Sequence, residues 1–336
     1  MARDELDLTE AAATHETAPA LTLDRVSKVY GSFRAVDDLS FQVKPGEIFG
    51  FLGPNGAGKT TTLRMILNII NPTSGSIDVL GAPSDKPQRA RIGYLPEERG
   101  LYRKMRAADS IAYFAQLRGV PGPTAKKRAF ELLDRFGLGD FAKSKNEALS
   151  KGMAQKVQLL ATIAHEPEFL ILDEPFSGLD PLNQGGLEDL IRSFKSEGRT
   201  VIFSTHVMSH AERLCDRFLI LAKGEKRFEG TLTEARSAFP QPILLRTEAP
   251  LDRLKSVAII QHVSLVEGAV GDSGHDFHVQ LVDGAKPKDL IKVLTEQGIE
   301  VTRFDASAAT LHDIFVEIAG DHSSPASLGS DQGVAS

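Results

Sequence analysis

A glycine-rich loop between a strand-like segment and a helix-like segment constrains the fold of this chain more than any other feature. The loop, "GPNGAGKT" at residues 53–60, fits the pattern G-x-x-x-x-G-K-[ST]. Residues 47–52 before it form an apolar run typical of a buried strand, and apolar residues recur at helical spacing over residues 63–70. A turn that only joins a strand to a helix has no need for the Lys-Thr pair. The pattern therefore predicts a loop that binds nucleotide phosphates.

The loop supplies the groups that phosphate binding requires. Its glycines allow backbone N–H groups to wrap around phosphates, and the helix N-terminus adds positive potential. Lys59 places a positive charge at the β and γ phosphates, and we expect the Thr60 hydroxyl to bind Mg²⁺. The nucleotide-binding residues predicted in this loop are Gly53, Asn55, Gly56, Gly58, Lys59 and Thr60.

Two other buried-strand patterns end in polar residues. "FLILDEP" places Asp173 and Glu174 after a strand, and "TVIFSTH" places His206 after another. Taken alone, such carboxylates are typical of a solvated loop or helix cap, and a lone histidine is typical of an exposed neutral side chain. Ligands of parallel sheets, however, bind at the carboxyl ends of the strands. We therefore expect Asp173 to reach Mg²⁺ through water and Glu174 to polarise the water that attacks the γ phosphate.

A second helix start also suits an anion. "LSKGMAQKVQ" at residues 149–158 opens with Ser150, a good N-cap, followed by Gly152 and a run compatible with a helix. One nucleotide does not need two such phosphate cradles on one chain.

From about residue 21 to residue 230 the chain resembles the ATP-binding subunits of ABC transporters. "GPNGAGKTT" resembles the Walker A motif, "FLILDEP" Walker B, "SGLD" the D-loop and "STH" the switch histidine, while "LSKGMAQK" resembles the family signature. The resemblance implies an α/β fold of the P-loop NTPase class with an antiparallel β-subdomain and a helical subdomain. It also implies ATP as nucleotide, with Mg²⁺.

The resemblance assigns roles to residues at matching positions. Lys59, Thr60 and Thr61 would bind phosphates and Mg²⁺, Glu174 would be the catalytic base, and His206 would contact the γ phosphate. Tyr30, in "SKVYGSFRAV", matches the aromatic residue on which adenine stacks. The alternative for this residue is a strand aromatic packed inside the β-subdomain.

The chain departs from the family pattern at two places. Glu97, in "LPEER", stands where a glutamine usually links Mg²⁺ to the membrane partner, and the neighbouring Glu98 leaves an ambiguity of one residue. A carboxylate still ligates Mg²⁺ but adds negative charge beside the phosphates. Within the signature, Lys151 and Met153 replace the commoner glycine and glutamine, while the phosphate-facing positions 150 and 152 are kept. These variants resemble the branch that pairs with separately encoded exporter permeases, including those linked to sodium or drug extrusion.

The 336 residues are enough for two domains. Beyond Gly230, short strand-like runs alternate with two helical runs, which predicts a small α+β domain of ferredoxin-like arrangement. His275 and His278 in that region do not make a metal site by themselves, because thiolates or a carboxylate cluster are missing nearby. The predicted divisions are a disordered extension at 1–20, an ATPase domain at 21–232 with a helical subdomain at about 98–148, an accessory domain at 233–319 and a disordered tail at 320–336.

Composition restricts the setting and the partners. With a single cysteine, Cys215, no intrachain disulfide is possible, which favours a reducing compartment. A net charge of −6 has the wrong sign for a broad surface that binds nucleic acid.

The N-terminus lacks the apolar core of a secretory signal, and the apolar runs of the chain are far shorter than the about 20 residues of a membrane span. We therefore predict a cytoplasmic protein, peripheral on the inner face of the cell membrane.

The combined interpretation is an ATPase subunit that dimerises, with itself or a related ATPase subunit, and drives a membrane permease supplied by another chain. Residues 99–105 and the helical face that follows would dock the permease, unless this region is only a solvated helical insertion. One alternative is a non-transport ABC ATPase acting on DNA or the ribosome. Another is a small-molecule kinase with a P-loop, which leaves the signature segment without a role.

Overall fold

The computed structural model describes residues 18–83, 90–98, 100–239, 242–270, 274–282 and 284–319. The predicted disordered segments therefore lie outside the described residues, apart from positions 18–20, and so does Arg99 of the predicted docking segment. The chain divides into two compact units, Met1–Glu229 and Gly230–Ser336.

Ten strands and six α-helices are described in the first unit. The strands are β1 (Leu21–Tyr30), β2 (Phe33–Val43), β3 (Ile48–Leu52), β4 (Ser74–Val79), β5 (Ala82–Pro83), β6 (Ile92–Leu95), β7 (Phe169–Asp173), β8 (Thr200–Thr205), β9 (Arg217–Ala222) and β10 (Glu225–Gly230). The helices are α1 (Lys59–Ile66), α2 (Ala107–Leu117), α3 (Gly122–Arg135), α4 (Lys151–Ile163), α5 (Pro181–Ser196) and α6 (Met208–Leu214).

A six-stranded sheet with the order β10-β9-β3-β8-β7-β6 forms the centre of this unit. Strands β9, β3, β8, β7 and β6 are parallel, and every residue of β3, β7 and β8 is buried, as expected for strands covered on both faces. Leu52 lies opposite Thr205, and Asp173 lies opposite Ser204. The carboxyl ends of β3, β7 and β8 therefore meet at one edge, and the predicted α/β class is confirmed.

A second sheet, with the order β2-β1-β4-β5, is antiparallel and corresponds to the expected β-subdomain. Phe41 of β2 stacks on Phe49 and Phe51 of β3, with ring centroids 5.5 and 5.7 Å apart. Aromatic pairs at such distances stabilise the fold by more than the burial of their surface area alone would give. This contact holds the antiparallel sheet against the strand that leads into the glycine loop.

Helices α2 and α3 occupy the region between β6 and β7. Ala129 and Leu133 of α3 are fully buried and Leu132 and Phe136 are partly buried, so the apolar face expected from helical spacing is present. Two short 3₁₀ turns, Gly139–Phe141 and Asn146–Ala148, lead from α3 to α4.

The second unit contains a four-stranded antiparallel sheet with the order β12-β13-β11-β14, which is the ferredoxin-like arrangement. Leu245 and Phe277 from the sheet pack with Leu254, Leu290 and Leu294 from the helices. Its elements are α7 (Leu232–Ala238), β11 (Ile243–Thr247), α8 (Leu251–Lys255), β12 (Ile260–Val270), β13 (His275–Leu281), α9 (Pro287–Glu296), β14 (Val301–Asp305) and α10 (Leu311–Ala319).

His275 and His278 lie three residues apart on β13. Because side chains of a strand alternate between its two faces, these histidines point to opposite faces and do not share a ligand. Within the described residues, no helix is both long and apolar enough to cross a membrane.

Candidate nucleotide site

The glycine loop follows β3 and is held tightly by neighbouring backbone. A Cβ atom on Gly58 would lie 2.5 Å from the carbonyl oxygen of Ala35, and one on Gly53 would overlap the carbonyl oxygen of Leu221. Gly58 also has a φ of 103°, a value that favours glycine. Packing and backbone conformation thus require glycine at both positions, independently of any ligand.

Lys59, the first residue of α1, is buried within the loop. Its Nζ donates hydrogen bonds to the carbonyl oxygens of Gly53 (2.7 Å) and Pro54 (3.2 Å) and lies 3.7 Å from Glu174 Oε1. Burial lowers the pKa of Lys59, while the charges of Glu174, Asp173 and Glu97 act in the opposite direction. The ammonium group is therefore buried, and a bound anion would stabilise its positive charge.

The start of α1 also offers donors. Within the described part of the chain, no side chain caps this helix. The first N–H groups of an α-helix have no intrahelical acceptor, which leaves those of Lys59, Thr60 and Thr61 for a ligand. Asn55 and Gly56 are exposed at the tip of the loop, so the loop opens to the outside.

Glu174 and His206 meet beside Lys59. His206 Nδ1 lies 2.9 Å from Glu174 Oε1, the same oxygen that faces Lys59. The Glu174 side chain is buried and its backbone has a φ of 46°, which is uncommon for a residue other than glycine. Residues held in sparsely populated conformations cluster at functional sites.

Ser204 contributes to the site in a way that the sequence analysis missed. Its Oγ donates a hydrogen bond to Asp173 Oδ1 over 2.5 Å and accepts one from the backbone N–H of Glu174 over 3.0 Å. Both Asp173 and Ser204 are almost completely buried. Ser204 is the penultimate residue of β8, and the apolar run before it does not distinguish this serine from others at strand ends.

Glu97 lies just beyond β6, next to the end of β7. Its charge is among those that favour protonation of Lys59, whereas Glu98 uses its carbonyl oxygen to accept a hydrogen bond from Gln158 Nε2 over 3.3 Å. Of the two adjacent glutamates, Glu97 is the one whose charge raises the pKa of Lys59.

Tyr30 ends β1 with 48% of its surface exposed, and Lys28 Nζ lies 5.1 Å from the centre of its ring. It is not a core aromatic residue. The exposed ring is free to stack on a planar ligand.

The signature segment forms the start of α4. Ser150 is the N-cap, and its Oγ accepts a hydrogen bond from the Met153 backbone N–H over 3.2 Å, as expected from sequence. Gly152 is buried. Among the described residues, no hydrogen bond or ion pair links Ser150 or Gly152 to the loop at 53–60. The chain thus brings together Lys59, Asp173, Glu174 and His206, but not the signature.

Comparisons with known proteins identify the family. Residues 36–177 match the family model described as ABC transporter, and residues 230–319 match the model described as ATP-binding protein DrrA1-3-like, C-terminal domain. The uncharacterized ABC transporter ATP-binding protein YhaQ of Bacillus subtilis (strain 168) is 39% identical over 302 residues, covering 89% of this chain and 98% of that protein. The chain belongs to the ABC transporter ATP-binding family.

Other similarities agree with this assignment. The Nod factor export ATP-binding protein I of Paraburkholderia xenovorans (strain LB400) is 37% identical to this ABC ATPase over 246 residues, covering 69% of this chain and 81% of that protein. A solved structure described as "Structure of ATP binding subunit of ABC transporter" matches with a TM-score of 0.60 and 34% identity, over 66% of this chain and 93% of that chain. Membership of this family implies ATP binding and hydrolysis.

The ABC ATPase also offers ligands that suit Mg²⁺. The described residues contain no group of three or more His, Cys, Asp or Glu side chains able to hold a metal by themselves. Mg²⁺ usually binds through one or two carboxylates together with substrate phosphates rather than in a cage made only of protein. Oxygen atoms of Thr60, Asp173 and Glu97 around the phosphate loop fit that mode of binding.

Proposed function

We propose that this chain hydrolyses ATP in a dimer and drives a separately encoded membrane permease, which exports a substrate. The observation that best supports this proposal is that Lys59, Glu174 and His206 meet at one sheet edge, while the start of the signature helix α4 lies apart from them. Export is supported by the similarity to a protein named for Nod factor export.

Each residue of the proposed catalytic centre has a physical role. Glu174 accepts the proton of the attacking water, and His206 contacts the γ phosphate while it orients Glu174. Lys59 and the first N–H groups of α1 neutralise the β and γ phosphates. Thr60, Asp173 and Glu97 would hold Mg²⁺, which when bound neutralises phosphate charge. The exposed ring of Tyr30 would stack on adenine.

The signature supplies the second half of each site. In the proposed dimer, Ser150 and Gly152 at the start of α4 face the γ phosphate bound at Lys59 of the partner. The helix N-terminus is suited to an anion, because its N–H groups and its dipole both favour negative charge. Each ATP then lies between two chains, which explains why one chain carries two cradles.

A groove suited to the permease lies between α2, α4 and the segment after β6. It has a volume of about 400 Å³, and it is lined by the side chains of Tyr94, Phe114, Leu117 and Arg118 among others. Leu117 is 63% exposed. Amphipathic helices bind in grooves that offer apolar side chains, so Phe114 and Leu117 in this mixed apolar and polar groove extend the predicted docking face. Docking there would hold the chain at the inner face of the cell membrane.

Mixing of two defective chains tests the shared site. Lys59→Ala and Ser150→Arg should each be inactive alone, but a mixed dimer contains one intact site, and random pairing makes about half of the dimers mixed. We expect mixing to restore ATP hydrolysis and, in chains that also carry Glu174→Gln, ATP-dependent dimerisation measured by size-exclusion chromatography. If wild type showed both properties and mixing restored neither, the cross-subunit role of Ser150 would be wrong.

The role of Glu174 has a separate test. Glu174→Gln should bind ATP, since Lys59 and the loop are unchanged, but should lose about a hundredfold to ten-thousandfold in turnover. Turnover close to wild type would remove Glu174 as the base. Reconstitution with the permease from a neighbouring reading frame then tests coupling, which requires ATP hydrolysis to rise with transport.

A further inference from the structure

Gly152 lies against the side chain of Asn183 from the first turn of α5. A Cβ atom on Gly152 would lie 2.6 Å from Asn183 Oδ1 and 2.7 Å from Asn183 Nδ2, and it would overlap Asn183 Cγ. Real Cβ atoms essentially never approach other atoms within 3.0 Å. Gly152 sits inside a helix and does not have a positive φ. A Cβ atom at this position therefore meets a steric obstacle rather than a backbone one, and the Asn183 side chain would have to shift to admit it.

Asn183 is not free to move aside. Its Nδ2 donates a hydrogen bond to Asp180 Oδ2 over 2.7 Å, and its backbone N–H donates one to Asp180 Oδ1 over 3.0 Å. Asp180 is the N-cap of α5 and the last residue of the D-loop. A side chain anchored in this way resists displacement, because moving it breaks a hydrogen bond to a carboxylate.

A second contact joins the same two segments. Gln155 Nε2 donates a buried hydrogen bond to the carbonyl oxygen of Pro175 over 3.0 Å. Gly152 and Gln155 are three residues apart and therefore lie on one face of α4. Helix α4 thus contacts both ends of segment 175–183, at Pro175 and at Asn183. This segment begins directly after Glu174.

We propose that Asn183 is a positioning residue that sets where the signature helix start lies, and that residue 152 must be glycine because of Asn183. The proposal rests on the proposed function, in which α4 faces the ATP of the other subunit while Glu174 serves the ATP of its own chain. The contacts of Gly152 and Gln155 with segment 175–183 then fix the position of the α4 start relative to Glu174 within one chain.

The test is a rescue experiment on the full-length chain. Gly152→Ala should lower ATP hydrolysis and ATP-dependent dimerisation on the order of tenfold to a hundredfold, as misplacement of catalytic groups does. Asn183→Ala removes the obstructing atoms, so the double variant Gly152→Ala/Asn183→Ala should recover the activity of Asn183→Ala alone. Asn183→Ala itself should raise the ATP concentration for half-maximal rate more than it lowers the rate at saturating ATP, because it loosens positioning without touching the reacting atoms.

Two matched controls separate shape from polarity and from general effects of alanine. Asn183→Leu keeps the size of asparagine but loses the hydrogen bond to Asp180, so it should rescue Gly152→Ala only in part, because the side chain still fills the space but moves aside more easily. Among the described residues, nothing lies within 4 Å of a Cβ atom on Gly185 of α5, so Gly185→Ala should leave the ATPase rate unchanged.

The outcomes distinguish the two proposals. A double variant as inactive as Gly152→Ala, beside an active wild type, would refute the role of Asn183 and assign the glycine to the phosphate contact alone. Full activity of Gly152→Ala would refute it as well. If Gly152→Ala did not fold, the double variant would be scored by its melting temperature, and failure to recover folding would have the same meaning. Absence of ATP-dependent dimers in wild type would instead contradict the proposed function.

Discussion

The imidazole ring of His210 lies flat against the phenyl ring of Phe176, with 4.0 Å between the ring centres and 13° between the ring planes. Phe176 stands two residues after Glu174, and His210 lies on α6, four residues after His206. His210 Nδ1 lies 2.9 Å from Glu188 Oε1, and Arg213 Nη2 donates to the same oxygen over 2.6 Å. Burial raises the pKa of Glu188, but hydrogen bonds from Arg213 and His210 outweigh it and leave the pKa lowered. Glu188 is therefore an anionic anchor for α6.

We expect His210→Ala to destabilise the first unit by about 1–3 kcal/mol, because it removes a buried hydrogen bond to the charged Glu188 carboxylate and the ring contact with Phe176. The free energy of unfolding in urea measures this loss. Ser209→Ala, an exposed neighbour on the same helix, is the matched control and should stay within about 0.5 kcal/mol of wild type. Equal stability of the two variants would mean that the contacts of His210 do not stabilise the fold.

His165 predicts a dependence of stability on pH. Burial lowers its pKa to about 4, nearby arginines act in the same direction, and the hydrogen bond to the Ile92 carbonyl opposes them. His165 binds a proton near pH 6.5 in the unfolded chain but only near pH 4 in the folded chain. The contribution of neutral His165 to the free energy of unfolding is therefore complete above pH 6.5 and is lost as the pH falls towards 4. Over that range we expect wild type to lose on the order of 1 kcal/mol more than His165→Gln, since partial exposure weakens the effect.

Denaturant titrations at several pH values compare the two proteins. His278→Gln, which changes an exposed histidine, should follow the wild-type curve. Identical slopes for wild type and His165→Gln between pH 4 and 6.5 would contradict the burial of a neutral His165.

Ser204→Ala should weaken the site without unfolding it. The Ser204 hydroxyl orients both Asp173 and the Glu174 backbone, and loss of groups that orient metal ligands typically costs about 10- to 100-fold in metal affinity or activity. We expect a lower ATPase rate and a higher Mg²⁺ concentration for half-maximal activity. Ser193→Ala, which removes a hydroxyl that donates to the Leu190 carbonyl within α5, should change neither quantity. An unchanged Mg²⁺ dependence in Ser204→Ala would show that Asp173 needs no orienting partner.

Glu97→Gln should be tolerated. The substitution keeps an oxygen ligand and removes a negative charge near the phosphates, and exposed charges contribute about 0–1 kcal/mol. We therefore expect kcat/KM of the isolated subunit within about fivefold of wild type, and a larger effect with the permease present. Glu98→Gln serves as the matched control. Loss of all ATPase activity in Glu97→Gln alone would mean that the Glu97 carboxylate takes part in the chemical step.

Much of the sheet edge that carries Lys59, Glu174 and His206 was predictable because buried parallel strands leave a strong sequence pattern. The runs that became β3, β7 and β8 are continuous and apolar, and the polar residues directly after them had to share an edge once the strands were parallel. The meeting of Lys59, Glu174 and His206 follows from that rule. The order of strands in the sheet did not, because periodicity does not specify which strands are neighbours.

The residues that were missed depend on contacts between distant segments. Ser204 bonds Asp173 only because β7 and β8 are paired in one register, and Asn183 faces Gly152 only because α5 packs beside α4. Neither residue carries a local pattern that distinguishes it from other serines and asparagines. In the C-terminal unit, α7 and α8 were missed because their seven and five residues are too few to show helical periodicity.

The central position of β3 has a consequence for synthesis of the chain. Its neighbours in the sheet, β8 and β9, begin only at Thr200 and Arg217, although β3 itself ends at Leu52. At 5–20 residues per second, the five buried residues of β3 therefore wait roughly 7 to 30 s on the ribosome before either partner strand has been made. During that interval the glycine loop at 53–60 has no completed sheet behind it. The apolar edges of β3 are then open to other nascent chains. A chain cut short before Thr200 should consequently aggregate rather than bind ATP.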